Sequence, residues 1–140
     1  MKKIILLFAV IISVSMISCQ TDDDAGPADT QDKFIGNWKI TQEFENGVEV
    51  SIPVCNLEDR LTVTADQKFT SVLFDIENGN CVLYDTRIGS WENLRDNIYR
   101  ISFDTNPTAS REITITFSEN TATLVFNTEF GELIQILTRI

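Results

Sequence analysis

The stretch FIGNWKI, residues 34–40, marks the point at which this sequence changes character. Before it lie small, polar and turn-favouring residues. After it, apolar and polar side chains alternate with the two-residue period of half-buried strands. The alternation is plainest in RLTVTA, residues 60–65, where Leu61, Val63 and Ala65 stand against Arg60, Thr62 and Thr64. It recurs in REITITFS, residues 111–118, where Ile113, Ile115 and Phe117 stand against Glu112, Thr114, Thr116 and Ser118. Similar runs occupy about 37–44, 68–75, 81–92, 97–103, 121–127 and 131–139, and 47–53 offers a further short one. Turn pairs separate them: Asn46-Gly47, Asp66-Gln67, Asn78-Gly79 and Glu119-Asn120. Asn-Gly tolerates the two positive φ angles of a type I′ turn, so these pairs predict hairpins. DIENGN, residues 75–80, has a superficial likeness to a calcium loop, but it lacks the acidic spacing and distal glutamate of one and reads as a hairpin turn. No segment carries a helical stripe. The chain from 34 to 140 is therefore an all-β antiparallel meander of about eight strands, which can close into a barrel or fold over into a sandwich.

FIGNWKI also sets Gly36, Asn37 and Trp38 at the start of the first strand, and ILTRI sets Arg139 near the end of the last. This Gly-x-Trp with its matching arginine resembles the signature of lipocalins, and residues 34–140 are similar above all to the short lipocalin-like domains of bacterial lipoproteins. The resemblance implies an up-and-down β-barrel in which Trp38 plugs the closed end and Arg139 packs across its ring. Such a cation–π contact is worth about 0.5 to 2 kcal/mol. At 107 residues the domain is short for the family, and no helix flanks its last strand. A second Gly-x-Trp, Gly89-Ser90-Trp91, lies inside the run that begins at Cys81, where a glycine predicts a bulge. The family also implies an apolar ligand held inside the barrel. Phe69, Phe74, Tyr84, Tyr99, Phe103, Phe117 and Phe126 are the candidates to line its site. The alternative for each is ordinary core filling, because a small eight-stranded barrel can be packed solid by its own side chains.

Upstream, Met1, Lys2 and Lys3 precede the apolar run IILLFAVIISVSMIS, the architecture of a secretory signal over residues 1–18. Met16, Ile17, Ser18 and Cys19 resemble the lipobox of bacterial lipoproteins. In that family the cysteine takes a diacylglycerol, the chain is cut before it, and the new amine is acylated, palmitate being a typical chain. Residues 19–33 then read as a lipid anchor and acidic flexible tether. Within it, CQTDDD resembles the acidic signal by which some Gram-negative bacteria send lipoproteins to the cell surface. The expected location is the outer membrane, facing outward, and the alternative is its periplasmic face.

Composition narrows the chemistry. With 21 acidic residues against 11 basic ones, a nucleic-acid backbone is a poor partner. The chain has no histidine, which removes the commonest general base and zinc ligand. No Gly-x-Ser-x-Gly elbow occurs, and adjacent carboxylates such as Glu58 and Asp59 would point to opposite faces of a strand. No catalytic residue, metal or cofactor is expected. Beyond Cys19 only Cys55 and Cys81 remain. The strand leaving Cys55 turns at Asp66-Gln67 and its neighbour returns to the same end, so in an oxidising compartment the two can pair. Closing that loop of 25 residues should stabilise the fold by about 3 kcal/mol.

These readings converge on a membrane-anchored barrel that binds a small apolar or amphipathic ligand in a cavity of at least about 300 Å³. A solid barrel serving as a subunit of an outer-membrane protein assembly is the alternative. It would show a filled interior and an exposed apolar patch or open sheet edge. An enzyme is the least favoured class.

Overall fold

A computed structural model describes residues 31–140; the signal over 1–18, Cys19 and most of the 19–33 tether lie outside the described residues. Nine strands follow one another: β1 Gly36–Glu45, β2 Val48–Val50, β3 Arg60–Val63, β4 Lys68–Glu77, β5 Asn80–Arg95, β6 Ile98–Phe103, β7 Asn106–Ser118, β8 Thr121–Thr128 and β9 Gly131–Arg139. Each pairs antiparallel with its neighbour from β3 to β9, β1 pairs with β3, and β9 returns to β1, which closes an eight-stranded barrel. The short β2 attaches to the far end of β1 as an additional strand. A single 3₁₀ turn, Cys55–Glu58, precedes β3.

Local chemistry explains the hairpins. Asn46 and Gly47 have φ of 49° and 79°, and Asn78 and Gly79 have 53° and 80°, the double positive φ that Asn-Gly supplies at little steric cost. The Asn78-Gly79 pair of DIENGN is thus the turn between β4 and β5. At the β5–β6 connection three consecutive residues, Arg95, Asp96 and Asn97, also have positive φ, next to a register shift at Asn93 and Arg95. Two further shifts matter for the interior: one in β1 between Ile40 and Gln42 against β9, and one at Leu73 and Phe74 of β4 against β5. The bulge expected at Gly89 is absent, since Phe69 pairs with Gly89 and Lys68 with Ser90 in regular register. Gly89 is required for another reason. A Cβ there would collide with the Ser102 carbonyl and the Phe69 ring.

The core is concentrated at one end of the barrel. Trp38 is 0% exposed, and Phe34, Trp91, Tyr99 and Ile115 are buried around it. Phe34 meets Trp91 and Tyr99 edge to face, with ring centroids 5.7 Å and 5.4 Å apart. Such pairs contribute about 0.5 to 1.5 kcal/mol beyond their area burial.

Candidate functional site

The closed end is built from both termini of the barrel. The Arg139 guanidinium lies 4.2 Å from the centre of the Trp38 ring. Its two terminal nitrogens donate to the carbonyls of Ile35 and Lys33, each at 2.7 Å, while Trp38 Nε1 donates to the Phe34 carbonyl at 2.8 Å. Gly36 sits beneath that guanidinium at φ 149°, and a side chain there would run into it. The first and last strands are thereby fastened by polar bonds around a stacked pair.

Asp32 forms a second fastening. Its carboxylate accepts from Tyr99 Oη at 2.9 Å, from Asn93 Nδ2 at 2.6 Å and from the Phe34 amide at 2.8 Å. Burial, and then the Asp32 carboxylate, push the Tyr99 hydroxyl well above its usual value near 10. The sign follows from proton counting. Above about pH 10 an unfolded tyrosine gives up its proton while the native one keeps it, so the native state loses stability as pH rises. We expect the urea midpoint to fall above about pH 10 and the tyrosine share of that fall to vanish in Tyr99→Phe. An unchanged alkaline slope in the variant would show that Tyr99 is not responsible.

Above this plug the barrel is hollow. A cavity of about 220 Å³ is floored by Phe34 and Trp38 and walled by Ile40, Leu61, Phe69, Leu73, Ile101, Phe103, Ile113, Leu124, Phe126 and Leu137. Polar side chains enter at Asp59, Arg60, Ser71, Arg87 and Gln135. The volume is smaller than the 300 Å³ expected of a ligand-binding barrel. It still exceeds the roughly 150 Å³ that accommodates benzene in an apolar protein interior. Phe34 and Trp38 occupy the closed end beneath it.

Three of the seven candidate aromatics, Phe69, Phe103 and Phe126, line this cavity. Tyr99 and Phe117 instead pack into the plug, with Phe117 6.2 Å from the Trp38 ring and 6.3 Å from Tyr99. Phe74 is not in the wall: it follows Leu73, which faces inward, and so lies on the opposite face. Tyr84 is 67% exposed and falls at the β4–β5 register shift, which turns it out of the wall. Selecting by aromatic character missed Ile101, Leu73 and Leu137. Strand parity would have found them, since Ile101 lies between Tyr99 and Phe103 at two-residue spacing, Leu73 shares the parity of Phe69, and Leu137 that of Arg139. The polar members carried no such signal, because a polar residue at an inward position looks like a break in the pattern.

At the rim, Asp59 accepts the Phe74 amide at 2.7 Å, and burial pushes its carboxyl up against the opposing pull of that bond and of Arg60. Arg60 bonds Glu58 Oε2 at 3.1 Å and the Asp59 carbonyl at 2.9 Å, and Arg87 Nε bonds Asp85 Oδ2 at 2.9 Å. Cys55 and Cys81 form the expected disulfide, with Cα atoms 5.2 Å apart, which ties the 3₁₀ turn to the β4–β5 hairpin. On the flank, β7 pairs with β8 only from Thr114 to Ser118. Below Thr114 the strands part, leaving a cleft of about 490 Å³ that reaches Ile113 and Phe126, two residues of the cavity wall.

An eight-stranded up-and-down barrel, plugged at one end and hollow above, is the architecture of a small-molecule-binding β-barrel. The lipocalin-like domain family matches residues 34–130, and the chain belongs to that family. The fold is similar to the crystal structure of a lipocalin-like protein from Bacteroides uniformis ATCC 8492, with a TM-score of 0.51 and 12% identity over 76% of this chain and 97% of that one. It is also similar to an uncharacterized protein from Bacteroides eggerthii DSM 20697, with a TM-score of 0.50 and 9% identity over 76% and 98% of the two chains. At such identities the likeness is one of fold. No curated protein matches the sequence.

Proposed function

We propose that this protein is a lipid-anchored carrier that takes up one small, largely apolar molecule and works at the outer membrane, facing the cell surface. The observation that carries the binding reading is the apolar cavity of about 220 Å³ above the Trp38 plug. Its size suits a single ring with a short substituent and not a long acyl chain. The anchoring half rests on the sequence: the signal-like run over 1–18, Cys19 and the aspartates that follow it. The mechanism is passive capture, in which burying the ligand's apolar surface yields about 25 cal/mol per Å².

Native mass spectrometry of the full chain, released from the membranes of a bacterium that makes it, tests the binding half. A reproducible added mass of one small molecule, lost on denaturation, is the expected result. A native mass equal to that of the denatured chain, unchanged after incubation with small cyclic hydrocarbons, would overturn it.

A second reading is favoured by the β4–β5 hairpin. Its residues Ile76, Leu83 and Tyr84 are exposed, and residues 80–87 of β5 pair with no strand on the β6 side among the described residues. An open edge with apolar side chains suits strand addition by a protein partner of an outer-membrane assembly.

A further inference from the structure

Gln135 enters the cavity from β9, two residues from Leu137 and four from Arg139 on the same face. Its Nε2 donates to Glu43 Oε2 at 2.7 Å. That partner is available because the β1 register shift after Ile40 brings Glu43 opposite Gln135 instead of Gln42. The bond uses one of the two N–H groups of the amide and fixes which way the group faces. The acceptor end, Oε1, receives no hydrogen bond from any described residue. Among the described residues no fully buried side-chain oxygen or nitrogen lacks a partner, so this unpaired oxygen is not sealed off, and the residue that carries it lines the cavity.

The two guanidiniums at the rim are each paired with a carboxylate. Arg87 is paired with Asp85, and Arg60 with Glu58 and with the carbonyls of Leu57 and Asp59. Two carboxylates, Glu43 and Asp59, stand near the same space. A ligand anion would therefore be buried beside those two carboxylates, with each rim guanidinium already balanced by an acid of its own, which is costly.

We infer that the preferred ligand is a small neutral cyclic molecule carrying a hydroxyl, whose proton is donated to Gln135 Oε1, and that carboxylates of the same size are disfavoured. This inference rests on the carrier reading and names the ligand chemistry of the same cavity. A pocket without a polar partner discriminates by about a hundredfold against an added hydroxyl. An acceptor in the right place removes much of that penalty, because the hydroxyl exchanges a bond to water for one to the protein.

The test uses the full chain in lipid nanodiscs, with empty nanodiscs as the blank and tryptophan fluorescence as the signal, since Trp38 floors the cavity. Methylcyclohexane, cyclohexylmethanol and cyclohexanecarboxylate are titrated in turn. The alcohol and the hydrocarbon are expected to bind within a few-fold of each other, and the carboxylate at least about tenfold more weakly than the alcohol. In Gln135→Leu the ratio should move by about tenfold toward the hydrocarbon. Gln135→Met serves if the leucine variant does not fold. A ratio that Gln135 substitution leaves unchanged, or a carboxylate that binds most tightly, overturns the inference while the carrier reading stands. If none of the three compounds binds, both fall.

Discussion

Replacing Trp38 with alanine is expected to lower the free energy of unfolding by about 3 to 5 kcal/mol, seen as a lower urea midpoint at unchanged slope. The indole is 0% exposed, so truncation leaves a large void at the densest part of the barrel. Two polar losses follow. The Phe34 carbonyl loses the Nε1 donor, and the Arg139 guanidinium loses the ring it lies on. Arg139 would still hold the carbonyls of Ile35 and Lys33, but across a cavity, where those bonds fix the first strand to the last less firmly. Trp38→Phe separates the contributions. It keeps most of the aromatic surface and deletes the donor, and should cost about 1 to 3 kcal/mol. A double-mutant cycle with Arg139→Ala then isolates the stacking energy, expected at about 0.5 to 2 kcal/mol. A loss below about 1 kcal/mol in Trp38→Ala would mean that barrel closure does not depend on this plug.

The same elements show what a strand sequence reveals. Alternation exposes a strand only where one face is buried. REITITFS is legible because Ile113 and Ile115 are buried and their neighbours are not, whereas the first seven residues of β7, Asn106 to Glu112, are exposed throughout and carry no pattern. The expected strand therefore begins near 111 while the paired strand begins at Asn106. The Asn-Gly hairpins were legible because the backbone conformation itself demands those residues. The register shifts were not. A bulge reverses which residues face inward, as at Ile40 and Gln42, yet leaves no residue signature there. This is why Glu43 reads as an outward acid in the sequence and stands beside an interior glutamine in the fold. The candidate lining had the same weakness. Aromatic residues mark the interior generally, but only parity along each strand divides Phe69 in the wall from Phe74 behind it. The short 3₁₀ turn Cys55–Glu58 was also illegible, since a single turn has no period to detect.

That turn leads to the second large effect. Removing the Cys55–Cys81 bond, by reduction or in the Cys55→Ala, Cys81→Ala double variant, is expected to cost about 3 to 4 kcal/mol. For a domain of this size that lowers the melting temperature by on the order of 15 °C. The sequence separation of 26 sets the entropy that the unfolded chain regains. The folded side adds to it. The turn is one cycle long, has no side-chain cap at its N-terminus, and buries Cys55 at 2% exposure, so its place depends on the hairpin to which it is tied. Asp59 and Arg60 follow directly and form part of the cavity rim. Losing the tie should therefore loosen the rim as well as the fold, and a bound hydrocarbon should dissociate faster from the reduced protein than from the oxidised one at a temperature where both remain folded. Thermal melts with and without a thiol-free reductant, followed by ligand-release kinetics, measure both parts. An unchanged melting temperature on full reduction would show that the turn is held by packing alone. A lower melting temperature with unchanged release would confine the disulfide's role to stability and leave the mouth of the cavity to the strands.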